Sequence, residues 1–224
     1  MLGPESQEGP VRQMVPLDLH AVQQEVLTCT RCRLSETRIS AVPGEGAPDS
    51  RVLFVGEGPG GRENESGRPF VGPAGQLLEE LLRGIGWRRP QVFITNVVKC
   101  RPPGNRDPFP DEKAACNGYL DRQVFALQPR VIATLGRHSM EKFFGPGQSI
   151  SRIHGTTGRW RGILCYALYH PAAILRQPAL KPLMMADFAR LPDLVAQEEA
   201  ADVAEPAAPS VLPALEAGEQ PRLF

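Results

Sequence analysis

Three groups of residues in this sequence have the types and spacing to do chemistry. Cys29 and Cys32 form a C-x-x-C in LTCTRCRL, and Cys100 and Cys116 follow much later. In a reducing compartment, thiols spaced like this hold a metal more often than they form a disulfide; a redox C-x-x-C beside two unrelated core cysteines is the alternative. Zinc and a 4Fe-4S cluster both accept four thiolates, so spacing does not choose between them. Cys165 sits in an apolar run and reads as plain core. The second group is the loop VGEGPGGRENESGRPFVGPAG, in which Gly56, Gly58 and Gly61 spell G-x-G-x-x-G and Glu57, Glu63 and Phe70 add two acids and an aromatic face. The third is Asn96 in ITNVVK and His170 in LYHPAAILR, each closing an apolar run.

The G-x-G-x-x-G is a weak sign of dinucleotide binding. That fingerprint needs its last glycine to open a helix at once, so that first-turn N–H groups face a pyrophosphate. Here Pro59 interrupts the loop and polar RENESGRP follows in place of an apolar helix. The remaining use for the glycines is close approach of the backbone to a planar ligand, with the acids and Phe70 around it.

These groups need a frame, and the apolar pattern supplies one. RVLFVG from Arg51, QVFITNV from Gln91, RVIATLG from Arg130 and ILCYALY from Ile163 read as buried strands. Between them AGQLLEELLRGIG places Leu77, Leu78, Leu81, Leu82 and Ile85 on one helical face, DEKAACNGYLDRQVFALQP opens after Pro110, and RHSMEKFF makes a shorter helix. Strand and helix alternating predict an α/β fold of three layers, α/β/α, around a central four-stranded parallel sheet, with function in the loops at the strands' carboxyl ends. Residues 1–17 are expected to be flexible, 18–195 to form the domain, and 196–224 to be a disordered acidic, Ala/Pro-rich tail.

The net charge of zero hides an asymmetry. Residues 1–193 carry 24 Lys and Arg against 19 Asp and Glu, while the remainder holds six acids and Arg222. A mildly basic body is compatible with a polyanionic partner and common enough in other proteins to decide little. No run approaches the roughly 20 apolar residues of a membrane span, and MLGPESQEGP lacks the order of a secretion signal. A cytoplasmic, nucleoid-associated protein with no membrane partner is expected.

The glycine loop with GRPFVGPAG, the paired cysteines, TNVVKCRPPGNR and YHPAAILR together resemble the family 4 uracil-DNA glycosylases of bacteria and archaea, from about Cys29 to Arg176. The resemblance implies a monofunctional, most simply monomeric repair glycosylase that flips uracil out of DNA and hydrolyses its N-glycosidic bond. It implies a 4Fe-4S cluster on Cys29, Cys32, Cys100 and Cys116 and no diffusible cofactor. The cluster would tie the N-terminal segment to KCRPPGNRDPFP and bring Lys99, Arg101 and Arg106 near the DNA backbone. Phe70 becomes the stacking platform and Asn96 the reader of the pyrimidine edge, with Glu57 and Gly58 beside the base. His170 becomes the donor to O2 as charge develops there. Ile174 or Leu175 would fill the gap in the helix, and Arg176 would hold a phosphate. Of the two acids, Glu63 is expected to lead in catalysis and Glu57 in positioning. The family usually has Glu-Asp where this chain has Glu63-Asn64, which puts a role for the second acid in doubt. A related branch captures uracil covalently through a histidine in an RRIH-like insertion; His154 in SRIHG lies in a different loop and is expected to line the DNA groove at most. A non-catalytic iron-sulfur or zinc DNA-binding module is the alternative function.

The chain ends QPRLF. Q-x-x-L-F resembles the peptide that docks on the bacterial replicative sliding clamp, with Gln220, Leu223 and Phe224 as its anchors.

Overall fold

The computed structural model describes residues 18–204. Four apolar runs form the parallel strands β1 (Val52–Gly56), β2 (Phe93–Asn96), β3 (Val131–Leu135) and, last in the chain, β5 (Ile163–Leu168). An additional strand, β4 (Thr157–Trp160), precedes β5 and pairs with it antiparallel, giving the order β2-β1-β3-β5-β4. The sheet is therefore five-stranded, against the four expected, although its parallel part is as read from the sequence. The hairpin turns at Arg161 and Gly162, with φ of 50° and 86°. Such a two-residue turn with both φ positive matches the strand twist. β4 escaped notice because TGRW sits at the sheet edge, half exposed, with no apolar alternation to read.

The strands bury both faces. Along β1, Val52 and Phe54 point into one core and Leu53 and Val55 into the other. The first core is closed by α4 (Pro73–Gly84), α8 (Pro171–Arg176), α9 (Lys181–Ala189) and α10 (Leu191–Ala204), whose Leu78, Leu82, Ile174, Met184, Phe188 and Leu191 pack there. The second is closed by α1 (Leu19–Leu27), α5 (Pro110–Leu127) and α6 (Arg137–Phe144) through residues such as Val22, Val26, Leu120, Val124 and Phe143. Cys165 lies fully buried in this second core, as expected. Short helices α2 (Leu34–Thr37), α3 (Gly61–Ser66) and α7 (Ile150–Ile153) join the larger elements.

Two local readings need correction. A helix does open at Gly61, so the loop is followed by helix, though one of only six residues. Glu63 in its first turn places a carboxylate where a dinucleotide would need its pyrophosphate. α10 also runs on to Ala204, past the boundary expected at 195. Residues 196–201, AQEEAA, bury little yet consist of strong helix formers. The QPRLF terminus lies outside the described residues.

Candidate active site and cysteine pocket

All four parallel strands deliver residues to one cleft of about 730 Å3 at their carboxyl ends. This is where an open α/β sheet places ligands. β1 leads to Glu57, β2 ends at Asn96, β3 leads through Gly136 to Arg137, and β5 leads to Tyr169 and His170.

Phe70 is buried and holds φ at 51°, with its ring 5.5 Å from that of His170. A positive φ at an aromatic residue persists only where surroundings enforce it. Glu63 does so: its Oε1 accepts N–H bonds from Val71 at 2.9 Å and Gly72 at 2.8 Å, and Arg89 Nη1 donates to the Phe70 carbonyl at 3.0 Å. Gly56 explains the loop's first glycine. A Cβ there would lie 2.4 Å from Asn96 Oδ1 and 2.6 Å from Phe70 Cζ, so only glycine lets aromatic ring and carboxamide meet. At Gly58 a Cβ would fall 2.7 Å from Val98 Cγ2, so no side chain fits there undisturbed.

Asn96 is almost fully buried, and its Oδ1 has no hydrogen-bond partner among the described residues. An orphaned buried acceptor facing a cleft costs stability, and a ligand donor relieves that cost. Lys99 fixes the strand end behind it, donating from Nζ to the Asn96 carbonyl at 2.8 Å, Thr95 Oγ1 at 2.6 Å and Gln123 Oε1 at 2.6 Å. Lys99 is thus buried, and the expectation that it lies near the DNA backbone is overturned. Burial lowers its pKa to about 8, against the opposing pull of the Cys116 and Cys100 sulphurs.

His170 caps the N-terminus of α8, and its Nδ1 accepts from the Ala172 N–H at 3.1 Å. A backbone N–H can only donate, so Nδ1 carries no proton and the neutral ring bears it on Nε2. Burial, and after it the positive charge of Arg176, lower the pKa to about 4, with Glu63 opposing. At neutral pH His170 is therefore an uncharged imidazole with a single N–H for the cleft.

The two acids have different surroundings. Glu63 spends one oxygen on the Val71–Gly72 backbone. Glu57 is raised in pKa, chiefly by desolvation, with His138 opposing and Asp107 adding to the rise. Asn64 turns away from the cleft and accepts from the Ile39 N–H at 2.9 Å.

Arg101 and Arg176 line the cleft, and Leu175 stands beside it 51% exposed. Ile174 is only 4% exposed and belongs to the core of α8, so it is not available to enter a DNA groove. Arg106 also borders the cleft, but its guanidinium is engaged by both oxygens of buried Glu112 at 2.8 and 2.6 Å and lies 3.8 Å over the Phe109 ring. His154 pairs with Asp187 at 2.8 Å and packs on Tyr169. Asp107, Arg137 and His138 were missed by sequence reading. The signal was present, since the rule that strand ends carry function applies equally to LGRH after β3.

Cys29, Cys32, Cys100 and Cys116 line one small cavity between α1, α2, α5 and the segment after β2. Arg38 Nη1 lies 3.1 Å from the Cys100 sulphur, and the Lys99 and Arg31 N–H groups reach Cys116 and Cys29 at 3.3 and 3.5 Å. Such donors suit thiolate ligands.

The model of the uracil DNA glycosylase superfamily matches residues 43–190, and the chain belongs to that superfamily. Within it the similarity is to type-4 members. A type-4 uracil-DNA glycosylase of Sulfurisphaera tokodaii is 46% identical over 79% of this chain and 84% of its own length. Those of Archaeoglobus fulgidus and Thermotoga maritima are each 42% identical, over 81% and 80% of this chain and 95% and 96% of theirs.

Proposed function

We propose that this chain is a monofunctional uracil-DNA glycosylase that swings uracil out of DNA, hydrolyses its N-glycosidic bond and leaves an abasic site. The observation that carries this reading is the meeting of Phe70, Asn96 and His170 in one cleft, with Asn96 Oδ1 unpartnered and His170 offering Nε2–H. The extruded base stacks on Phe70 between the glycine loop and His170. Asn96 accepts from N3–H and donates to O4; cytosine presents the reverse pattern and leaves both groups mispaired. As the C1′–N1 bond breaks, negative charge grows on the base and the neutral imidazole donates to O2, an interaction stronger in the transition state than before it.

The sugar becomes cationic at C1′, and water must add there. The surroundings favour Glu57 as the carboxylate that orients this water and takes its proton, with Glu63 holding the Phe70 loop, the opposite division from the one expected from sequence. Arg101 and Arg176 are suited to phosphates and Leu175 to the gap left by the base. Arg106 acts through its loop. Cys29, Cys32, Cys100 and Cys116 hold a 4Fe-4S cluster, a reading supported by their meeting in one small cavity and by the N–H donors to sulphur. When bound, the cluster supplies a covalent tie between the N-terminal helices and the loop after β2. The chain acts as a cytoplasmic monomer on DNA, and Gln220, Leu223 and Phe224 dock on the sliding clamp.

Release of free uracil from a labelled oligonucleotide by the purified protein tests the enzyme; no release under conditions where an authentic uracil-DNA glycosylase acts rejects it. Clamp pull-down that survives deletion of residues 220–224 rejects the docking segment.

A further inference from the structure

A buried imidazole beside the cleft is left unused by the chemistry above. His138 in the first turn of α6 is 6% exposed. Its Nε2 lies 3.2 Å from Asp107 Oδ1, on the loop after β2, and 3.7 Å from Glu57 Oε2, on the loop after β1. Arg137 Nη2 stands 2.7 Å from Asp107 Oδ2 and 3.1 Å from His138 Nε2. We propose that His138, anchored by Asp107, is a positioning residue for Glu57, holding that carboxylate toward the cleft and in its ionised form. The inference rests on the glycosylase reading, in which an ionised Glu57 handles the water.

The geometry places one ring where three loops meet. Glu57 would otherwise be a partly desolvated acid with another carboxylate beside it, and both conditions favour the neutral form. Its desolvation and Asp107 raise its pKa; His138 opposes most, and Arg137 and Arg176 follow. On its other side the His138 ring meets Glu141, whose Oε2 lies 3.8 Å from Nδ1 and is shared with Lys113 at 3.4 Å. Glu57, Asp107 and His138 present ligand atoms close enough for a metal ion. The Arg137 guanidinium, bound to the same Asp107, already supplies the positive charge such an ion would bring. Polar contact with the imidazole, rather than metal binding, is what the arrangement serves. Asp107 fits that part, since hydrogen bonds from Arg137 and His138 hold its own pKa down and keep it an ionised anchor.

Two measurements on the full-length protein test this. The first is the carboxyl 13C titration of Glu57, its signal assigned by loss in Glu57→Gln. The second is the pH profile of single-turnover uracil excision. His138→Phe keeps a ring of similar size without its polar nitrogens, and is expected to raise the Glu57 midpoint and the acid limb of excision together by about one pH unit. His138→Gln retains a donor and should shift both by less. In Glu57→Gln the acid limb should vanish, and adding His138→Phe should then change the profile no further. A Glu57 midpoint unmoved in both His138 variants overturns the proposal. So does an added loss from His138→Phe in the Glu57→Gln background, which would mark His138 as merely structural. Failure of the wild-type protein to release uracil would refute the glycosylase reading, while the carboxyl titration would still decide the coupling of His138 to Glu57.

Discussion

The cleft and the cysteine pocket share one short segment, Asn96 to Cys100, and treat polar atoms in opposite ways. On the pocket side, N–H donors reach the sulphurs of Cys29, Cys100 and Cys116. On the cleft side, Asn96 Oδ1 has no partner among the described residues, His170 lines the cleft with Nδ1 already bonded to the Ala172 N–H, and Phe70 is held at positive φ. A region whose polar groups are already satisfied stabilises the fold. One with orphaned groups on a strained backbone gives up stability so that a ligand can complete it. The two regions should therefore fail differently when altered.

The largest effect is expected in the pocket. If the pocket holds the proposed cluster, Cys116→Ala removes a ligand whose binding free energy is folding free energy, so thermal unfolding should drop by on the order of 10 °C or more, with loss of visible colour. An unchanged melting temperature would show the pocket to be dispensable packing. In the cleft the sign reverses. Asn96→Ala and His170→Ala should each lower single-turnover excision by about 100- to 1,000-fold, roughly 3–4 kcal/mol; the melting temperature should hold or rise slightly in Asn96→Ala and fall by only a few degrees in His170→Ala, which also loses the α8 cap. If either variant unfolds as readily as Cys116→Ala, the contrast between the two regions is wrong.

Lys99 joins the regions and should show both behaviours at smaller amplitude. Its Nζ serves Thr95, Asn96 and Gln123, while its backbone N–H serves Cys116. Lys99→Met removes three buried hydrogen bonds at once, which should cost about 2–4 kcal/mol and lower the melting temperature by roughly 5–10 °C. Because the end of β2 loosens, excision should fall about tenfold, well short of Asn96→Ala. A stability loss with excision unchanged would mean that Asn96 is held by the strand alone.

The sequence carried the frame more plainly than the site's electrostatics. Continuous apolar runs marked four strands because both faces of the sheet are buried, and the leucine spacing of α4 reported its core contact directly. β4 and α3 stayed hidden since TGRW and GRENES are short and mostly polar. Asn96, Phe70 and His170 were legible as strand-end or loop residues of the right type. Their environment was not, because the partners are distant in the chain. Lys99 looked like a surface cation and proved buried. Arg106 looked free and is clamped by Glu112, six residues on. Ile174 and Leu175 are neighbours of equal hydrophobicity, and only the fold says which one faces out.

The smallest effect separates the two titrating groups of the cleft. Burial and Arg176 hold His170 neutral with a pKa of about 4, below the ordinary 6.5. Above pH 6.5 neither the folded nor the unfolded chain protonates this ring, so its contribution to stability is fully present. Between 6.5 and 4 the unfolded chain takes up a proton that the folded one refuses, and stability declines as pH falls toward 4. Across pH 7–8, then, the His170 donor is constant, and its titration should alter excision by less than about twofold. The ring's NMR signals should hold still until near pH 4, with Nδ1 bare throughout. Any acid limb at higher pH must come from Glu57, the group whose pKa burial drives upward. A His170 midpoint near 6.5 would make the imidazole the titrating group and leave the cleft without its neutral donor.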